Sequence, residues 1–314
     1  MTKSPRPFLV FAALVAIGIV APFLGLYPIL LMKLLCFALF ACAFNLLLGF
    51  VGLLSFGHAM FFGGAAYAAG HAIKVWGFSP ELGLVFGTLV AALLGLVVGS
   101  LAIRRQGIYF AMITMALAQM FYFFALQAPF TGGEDGLQGV PRGNLFGILP
   151  IGNDLTLYYV VLVVVVAAWL LIARIVHSPF GQILQAIREN EQRATSLGYD
   201  VDRFKLVAFV LSAALSGLAG ALKTIVLGFA TLTDVHWATS GSVILMTLIG
   251  GIGTLTGPVL GAFVITGLEN VLADRVGSWV TVVLGVIFVL SVLLFRQGIV
   301  GTLSHLWPRS KARA

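Results

Sequence analysis

Charge is scarce in this chain. Asp, Glu, Lys and Arg together make up 9% of its 314 residues, too little polar surface to coat a soluble globule of this size. Cysteine is nearly absent as well. Cys36 and Cys42 lie in one apolar stretch, a placing that suits neither a disulfide nor a metal site, so they read as small packing residues. No nucleotide-binding loop occurs, and any ATP-derived work has to come from another chain. The basic residues form no stripe and do not alternate with exposed aromatics, which argues against nucleic acid despite a net charge of +7.

What remains is hydrocarbon: 60% of the chain is hydrophobic and its mean hydropathy is +1.08. An all-α polytopic membrane protein follows. About ten segments are expected, near 8–31, 34–54, 56–73, 81–103, 107–126, 156–173, 206–228, 241–255, 258–272 and 277–295, with 56–73 and 241–255 short enough to be half-spans. The amino-terminal apolar run continues to about Met32, longer than a signal core, and reads as an uncleaved span. Under this threading thirteen of the 18 Lys and Arg fall on one side, which makes that side, and both termini, cytoplasmic. The expected location is a bacterial plasma membrane, the inner one in a Gram-negative cell. One transmembrane domain covers 1–314, with a cytoplasmic segment at about 174–205 and an outer loop at about 127–155.

Small residues recur every four positions in several spans, the spacing that lets helices pack closely in lipid. Gly83, Gly87, Ala91, Gly95 and Gly99 form one stripe, Ser212, Ser216, Gly220 and Thr224 a second, and Gly253, Gly257 and Gly261 a third. The threading also implies inverted repeats, about 34–126 and 206–295, each with a broken glycine-rich segment of the kind that marks a translocation path. The outer loop's Thr131-Gly-Gly-Glu-Asp-Gly carries acids where a phosphate site needs lysine, so docking or re-entry suits it better.

Polar residues inside the spans are few: Asn45, Ser55, His58, Thr114, Gln119, Ser212, Ser216, Thr247, Thr266 and Glu269. None sets a carboxylate against a second carboxylate or a lysine at helical spacing, so coupling to an ion gradient finds no support. Ser55 and His58 lack a positioned acid and a nucleophile elbow, which argues against an enzyme. For His58 a capping or packing role stands beside a role in a pathway. No metal ligand set or cofactor motif is expected.

The one long polar island is 174–205. Ser178 and Pro179 suit an N-cap and first helical position, and Gly198 a stop. Between them a single helix is expected, with Glu189 and Arg193 as a favourable i, i+4 pair and Ile183, Ile187, Ala194 and Leu197 as a partial apolar face that Asn190 interrupts. Such a helix could lie on the lipid surface. Its mixture of acids and bases suits a protein partner better, and it looks built to be pushed by a separate motor.

Five blocks carry a likeness to a known family: Val51-Gly-Leu-Leu-Ser-Phe-Gly-His, Gly107-Ile-Tyr-Phe-Ala-Met-Ile-Thr, Thr131-Gly-Gly-Glu-Asp-Gly-Leu, Ser178-Pro-Phe-Gly-Gln-Ile-Leu and Met246-Thr-Leu-Ile-Gly-Gly-Ile-Gly. In this order they resemble the permeases of branched-chain amino-acid ABC importers, the LivM type; urea and amide importers look similar over the same blocks. The resemblance implies a second related permease, two cytoplasmic ABC ATPases, an extracytoplasmic solute-binding protein and surrounding membrane lipid. It implies ATPase coupling through Arg188, Glu189, Glu191, Arg193, Ala194 and Gly198. A translocation path for an aliphatic zwitterion is expected to use Ser55, His58, Tyr109, Thr114 and Gln119. An ATP-independent channel or secondary carrier is the rival class.

Overall fold

The computed structural model describes residues 6–25, 27–145, 147 and 149–279, with isolated positions between 282 and 298. In chain order the elements are α1 (Arg6–Val20), a 3-10 turn, α2 (Pro28–Asn45) running into a π turn at Leu46–Val51, α3 (His58–Lys74), α4 (Pro80–Ala102) and α5 (Ile108–Gln127). A hairpin of β1 (Asn144–Leu145) and β2 (Leu149–Pro150) precedes α6 (Asp154–Val176), α7 (Pro179–Glu189), α8 (Glu191–Ser196), α9 (Val201–Leu227), α10 (Leu232–Val235), α11 (Trp237–Gly250) and α12 (Gly257–Val276). The protein is an all-α polytopic membrane protein. Among the described residues five helices, Pro28–Val51, Pro80–Ala102, Ile108–Gln127, Asp154–Val176 and Val201–Leu227, are long and apolar enough to cross a bilayer. The last expected span, 277–295, lies largely outside the described residues, as do the basic ends.

The expected first span of 8–31 divides. A turn holding Pro22, Gly25 in a left-handed conformation (φ 78°) and Pro28 at the first position of α2 together break the apolar run into α1 and α2. The two segments read as short are short: α3 has 17 residues and α11 has 14, against roughly 20 for a full crossing. Neither needs to face lipid along its whole length, and α3 is buried on nearly every side.

That burial follows from its composition. α3 carries Gly63, Gly64, Ala65, Ala66, Ala69, Gly70 and Ala72, so neighbours reach its backbone. The glycine stripe of α4 turns inward onto α3 and α9, and Leu82, Val85, Leu89, Leu93 and Leu96 between its members point outward. The α9 stripe is buried too, and at Gly220 a Cβ would stand 1.9 Å from the carbonyl oxygen of Phe62. The backbones of α3 and α9 therefore touch.

α2 and α9 are the central pair. α2 packs on α6, α9, α11 and α12, and α9 on α2, α3 and α4, while α3 lies on α4 and α11 on α12.

Candidate functional site: a cavity beside the polar segment

α2 ends in a π turn, and this ending organises the site. The wider turn closes on Gly52 (φ 84°), whose N–H donates to the carbonyl of Leu47, so the carbonyl of Gly49 is left for another donor. Arg188 supplies it: its guanidinium reaches from α7 and donates to Gly49 O. A second tie comes from Asn45, one turn earlier. Its amide donates to Thr254 O at 2.8 Å and accepts from Gly253 N at 3.0 Å. The end of α2, the loop between α11 and α12, and the polar segment thus share one knot. A Cβ at Gly49 would sit 2.2 Å from Asn45 Oδ1, so the knot admits no side chain there.

Beyond Gly52 the chain runs without regular structure to α3 and borders a cavity of about 430 Å³, within the usual range for small-ligand sites. Leu53, Leu54 and Phe56 line one side, and Ile108, Phe110, Met112 and Met115 of α5 the other. Its walls are apolar. Arg188 touches its floor, since a Cβ at Gly52 would lie 3.0 Å from Arg188 Cγ.

The expected path residues fall around this cavity unequally. Ser55 Oγ accepts from Gly57 N at 3.2 Å, and Thr114 Oγ1 accepts from Phe56 N at 3.2 Å while donating to Ala111 O. Both therefore shape the wall. Tyr109 is exposed on α5 beside the lining residues. Gln119, farther along α5, is half-buried and its Oε1 has no partner. His58 turns away from Ser55. The Ser212 hydroxyl donates to Ala43 O at 2.6 Å, so its oxygen accepts from His58 Nε2 at 2.9 Å, and the proton belongs on Nε2. Edge-on rings of Phe44, Phe61 and Phe209 enclose the imidazole.

The polar segment differs from the single helix expected. Asn190 adopts an extended conformation (φ −158°, ψ 101°), ends α7 and caps α8 by accepting from Arg193 N. The helix break falls between Glu189 and Arg193, so their i, i+4 geometry is lost. Glu191 instead bonds Lys205 Nζ at 2.6 Å and accepts from Gln106 Nε2 at 2.8 Å. It ties α8 to α9 and to the turn before α5. Ala194 is buried with Ile187 and Val201, against Ile183. Leu197, expected on that apolar face, is exposed, because Gly198 (φ 88°) turns the chain just after it. Glu189, Arg193 and Gly198 lie at the surface.

Sequence reasoning missed the partners in these contacts: Gly49 for Arg188, Gly253 and Thr254 for Asn45, and Gln106 and Lys205 for Glu191. It also missed a buried charge pair. Lys223 Nζ bonds both carboxylate oxygens of Asp234, at 2.6 and 2.5 Å, and both residues are buried. The two lie eleven positions apart, across a turn, so spacing along one helix could not reveal them.

Comparisons with known proteins agree with the likeness. A family model described as branched-chain amino acid transport system / permease component matches residues 9–292. The high-affinity branched-chain amino acid transport system permease protein LivM of Salmonella typhimurium is 27% identical, over 91% of this chain and 73% of its own. The LivM of Escherichia coli is 27% identical over 95% and 75%. The autoinducer 2 import system permease protein LsrC of Yersinia pseudotuberculosis is 29% identical over 68% and 62%. No solved structure matches significantly. A multi-pass bacterial membrane protein with this match belongs to the permease-component family of branched-chain amino acid transport systems.

Proposed function

We propose that this chain is a permease subunit of an ATP-driven importer carrying branched-chain or other hydrophobic amino acids into the cytoplasm. It works beside a second related permease, with two cytoplasmic ABC ATPases and an extracytoplasmic solute-binding protein, in the inner membrane and with both termini in the cytoplasm. The chain itself has no enzyme activity in this reading; hydrolysis belongs to the ATPases. The observation that carries it is the bond from Arg188 to Gly49 O, beside a cavity with apolar walls. A motor pressing on α7 and α8 would move the end of α2 and the floor of that cavity together, because the packed elements transmit displacement.

Glu189, Arg193 and Gly198 are the contact points for an ATPase, and Arg188, Glu191 and Ala194 hold the segment on the membrane domain. Ser55 and Thr114 shape the path, Tyr109 and Gln119 contact the solute, and His58 braces α3 against α9. An aliphatic side chain suits the cavity walls better than urea does. Weak contacts are appropriate, since the solute has to leave.

The test is uptake by vesicles holding the assembled complex. Labelled leucine should accumulate with ATP and the binding protein. Accumulation of urea or short amides instead would reassign the solute, and ATP-independent leucine flux would sink the importer reading.

A further inference from the structure

The pair of Lys223 and Asp234 is unexplained by anything above. Lys223 lies near the end of α9, Asp234 on the four-residue α10, and each is about 5% exposed. Stability alone gives no reason for two charges there, because replacing a buried pair by apolar groups is commonly neutral or favourable. Ionisable groups inside a membrane domain instead mark a path for polar solutes.

The surroundings are specific. Asp234 Oδ2 also accepts from Thr231 N and Oγ1, both at 3.1 Å, which closes α10 as a capping box. Val235 and the Asp234 backbone press on Gly63 of α3, where a Cβ would meet them at 2.5 and 2.8 Å. Tyr67, also on α3 and within electrostatic reach of Asp234, keeps a buried hydroxyl that has no partner. Lys223 Nζ also stands over the face of the Phe229 ring, 5.3 Å from its centroid, as a cation–π contact. One cation and one anion therefore meet, with a spare hydroxyl within electrostatic reach of the anion, under a short element with extended residues, Thr231 and His236, at both ends.

We infer that Lys223 and Asp234 form a charge-exchange site for a zwitterionic solute. The inference rests on the proposed amino-acid importer. When α10 lifts, the solute carboxylate takes Lys223 and the Tyr67 hydroxyl, and its ammonium takes Asp234. One ion pair becomes two, with no change in net charge. A solute bearing only one of the two charges leaves a protein charge unpaired, so the site selects zwitterions. When the solute moves on, the protein pair closes again behind it.

The double variant K223M/D234N removes both charges and keeps an acceptor for the Thr231 cap. In the assembled complex it should retain binding-protein-stimulated ATPase and lose leucine uptake by tenfold or more. Wild-type uptake in this variant overturns the site while leaving the importer reading intact; a wild-type complex that carries no amino acid removes the importer reading itself. A second measurement uses the purified full chain. Excess L-leucine should raise its melting temperature, 4-methylpentanoate and leucinol should not, and K223M/D234N should respond to none of them. Equal stabilisation of the wild type by either single-charge analogue, or of the variant by leucine, refutes the exchange.

Discussion

Arg188 and Gly49 lie 139 positions apart in the chain, yet the guanidinium of one donates to the carbonyl oxygen of the other. The bond joins the polar segment to the π turn of α2, and several expectations follow from its placement.

Replacing Arg188 by methionine keeps the side-chain stem and removes the donor. A hydrogen bond from a charged group contributes about 1.5–3 kcal/mol, enough to loosen the joint without unfolding the chain. ATP hydrolysis by the complex should persist while leucine moved per ATP falls several-fold. An unchanged ratio would show that force does not pass through this bond.

Glu191→Ala should act through stability. Lys205 is buried and Glu191 is its partner at 2.6 Å, so the substitution strands a charge. Glu191 keeps some solvent exposure, and the expected loss is about 1–3 kcal/mol, below that of a fully buried pair. Adding Lys205→Met should restore much of it. A double-mutant cycle on melting of the purified chain reads the coupling, and additive losses would contradict the pairing.

Gly220→Ala should destabilise by about 1–3 kcal/mol or more, since the new methyl meets the Phe62 backbone at 1.9 Å and neither helix can move freely. Gly267→Ala on α12 meets nothing within 4 Å. It should be neutral or gain up to about 1 kcal/mol from helix propensity. Comparing yield and melting temperature of the two variants tests the backbone contact of α3 and α9.

Cys36 and Cys42 are buried, so thiol reagents should leave the native chain untouched. Met112→Cys at the cavity should then react with a water-soluble maleimide in membranes, and Leu89→Cys on the outer face of α4 should not. Failure of Met112→Cys to react would mean that the cavity has no aqueous access, and reaction of Leu89→Cys to the same extent would mean that the outer face of α4 does not face lipid.

The α4 stripe from Gly83 to Gly99 was legible because small residues every fourth position on a helix define one close-packing face, and the structure buries that face. Shortness and glycine content likewise identified α3 and α11. The break at Asn190 was not legible. Asparagine is a weak helix former and a good N-cap, but that preference does not by itself require a break, and the burial of Ala194 with Ile187 and Val201, together with the Glu191–Lys205 bond, goes with a chain that bends.

By itself the sequence determined the solvent, the helical class, the small-residue faces and the position of the polar segment, since each depends on composition or on spacing within one element. Tertiary structure alone decided that Asn45 meets Gly253 and Thr254, that Arg188 meets Gly49 and that Lys223 meets Asp234. These contacts join distant parts of the chain. Their geometry depends on a π turn, a helix break and the close approach of packed helices, and the periodicity of a single helix carries no record of them.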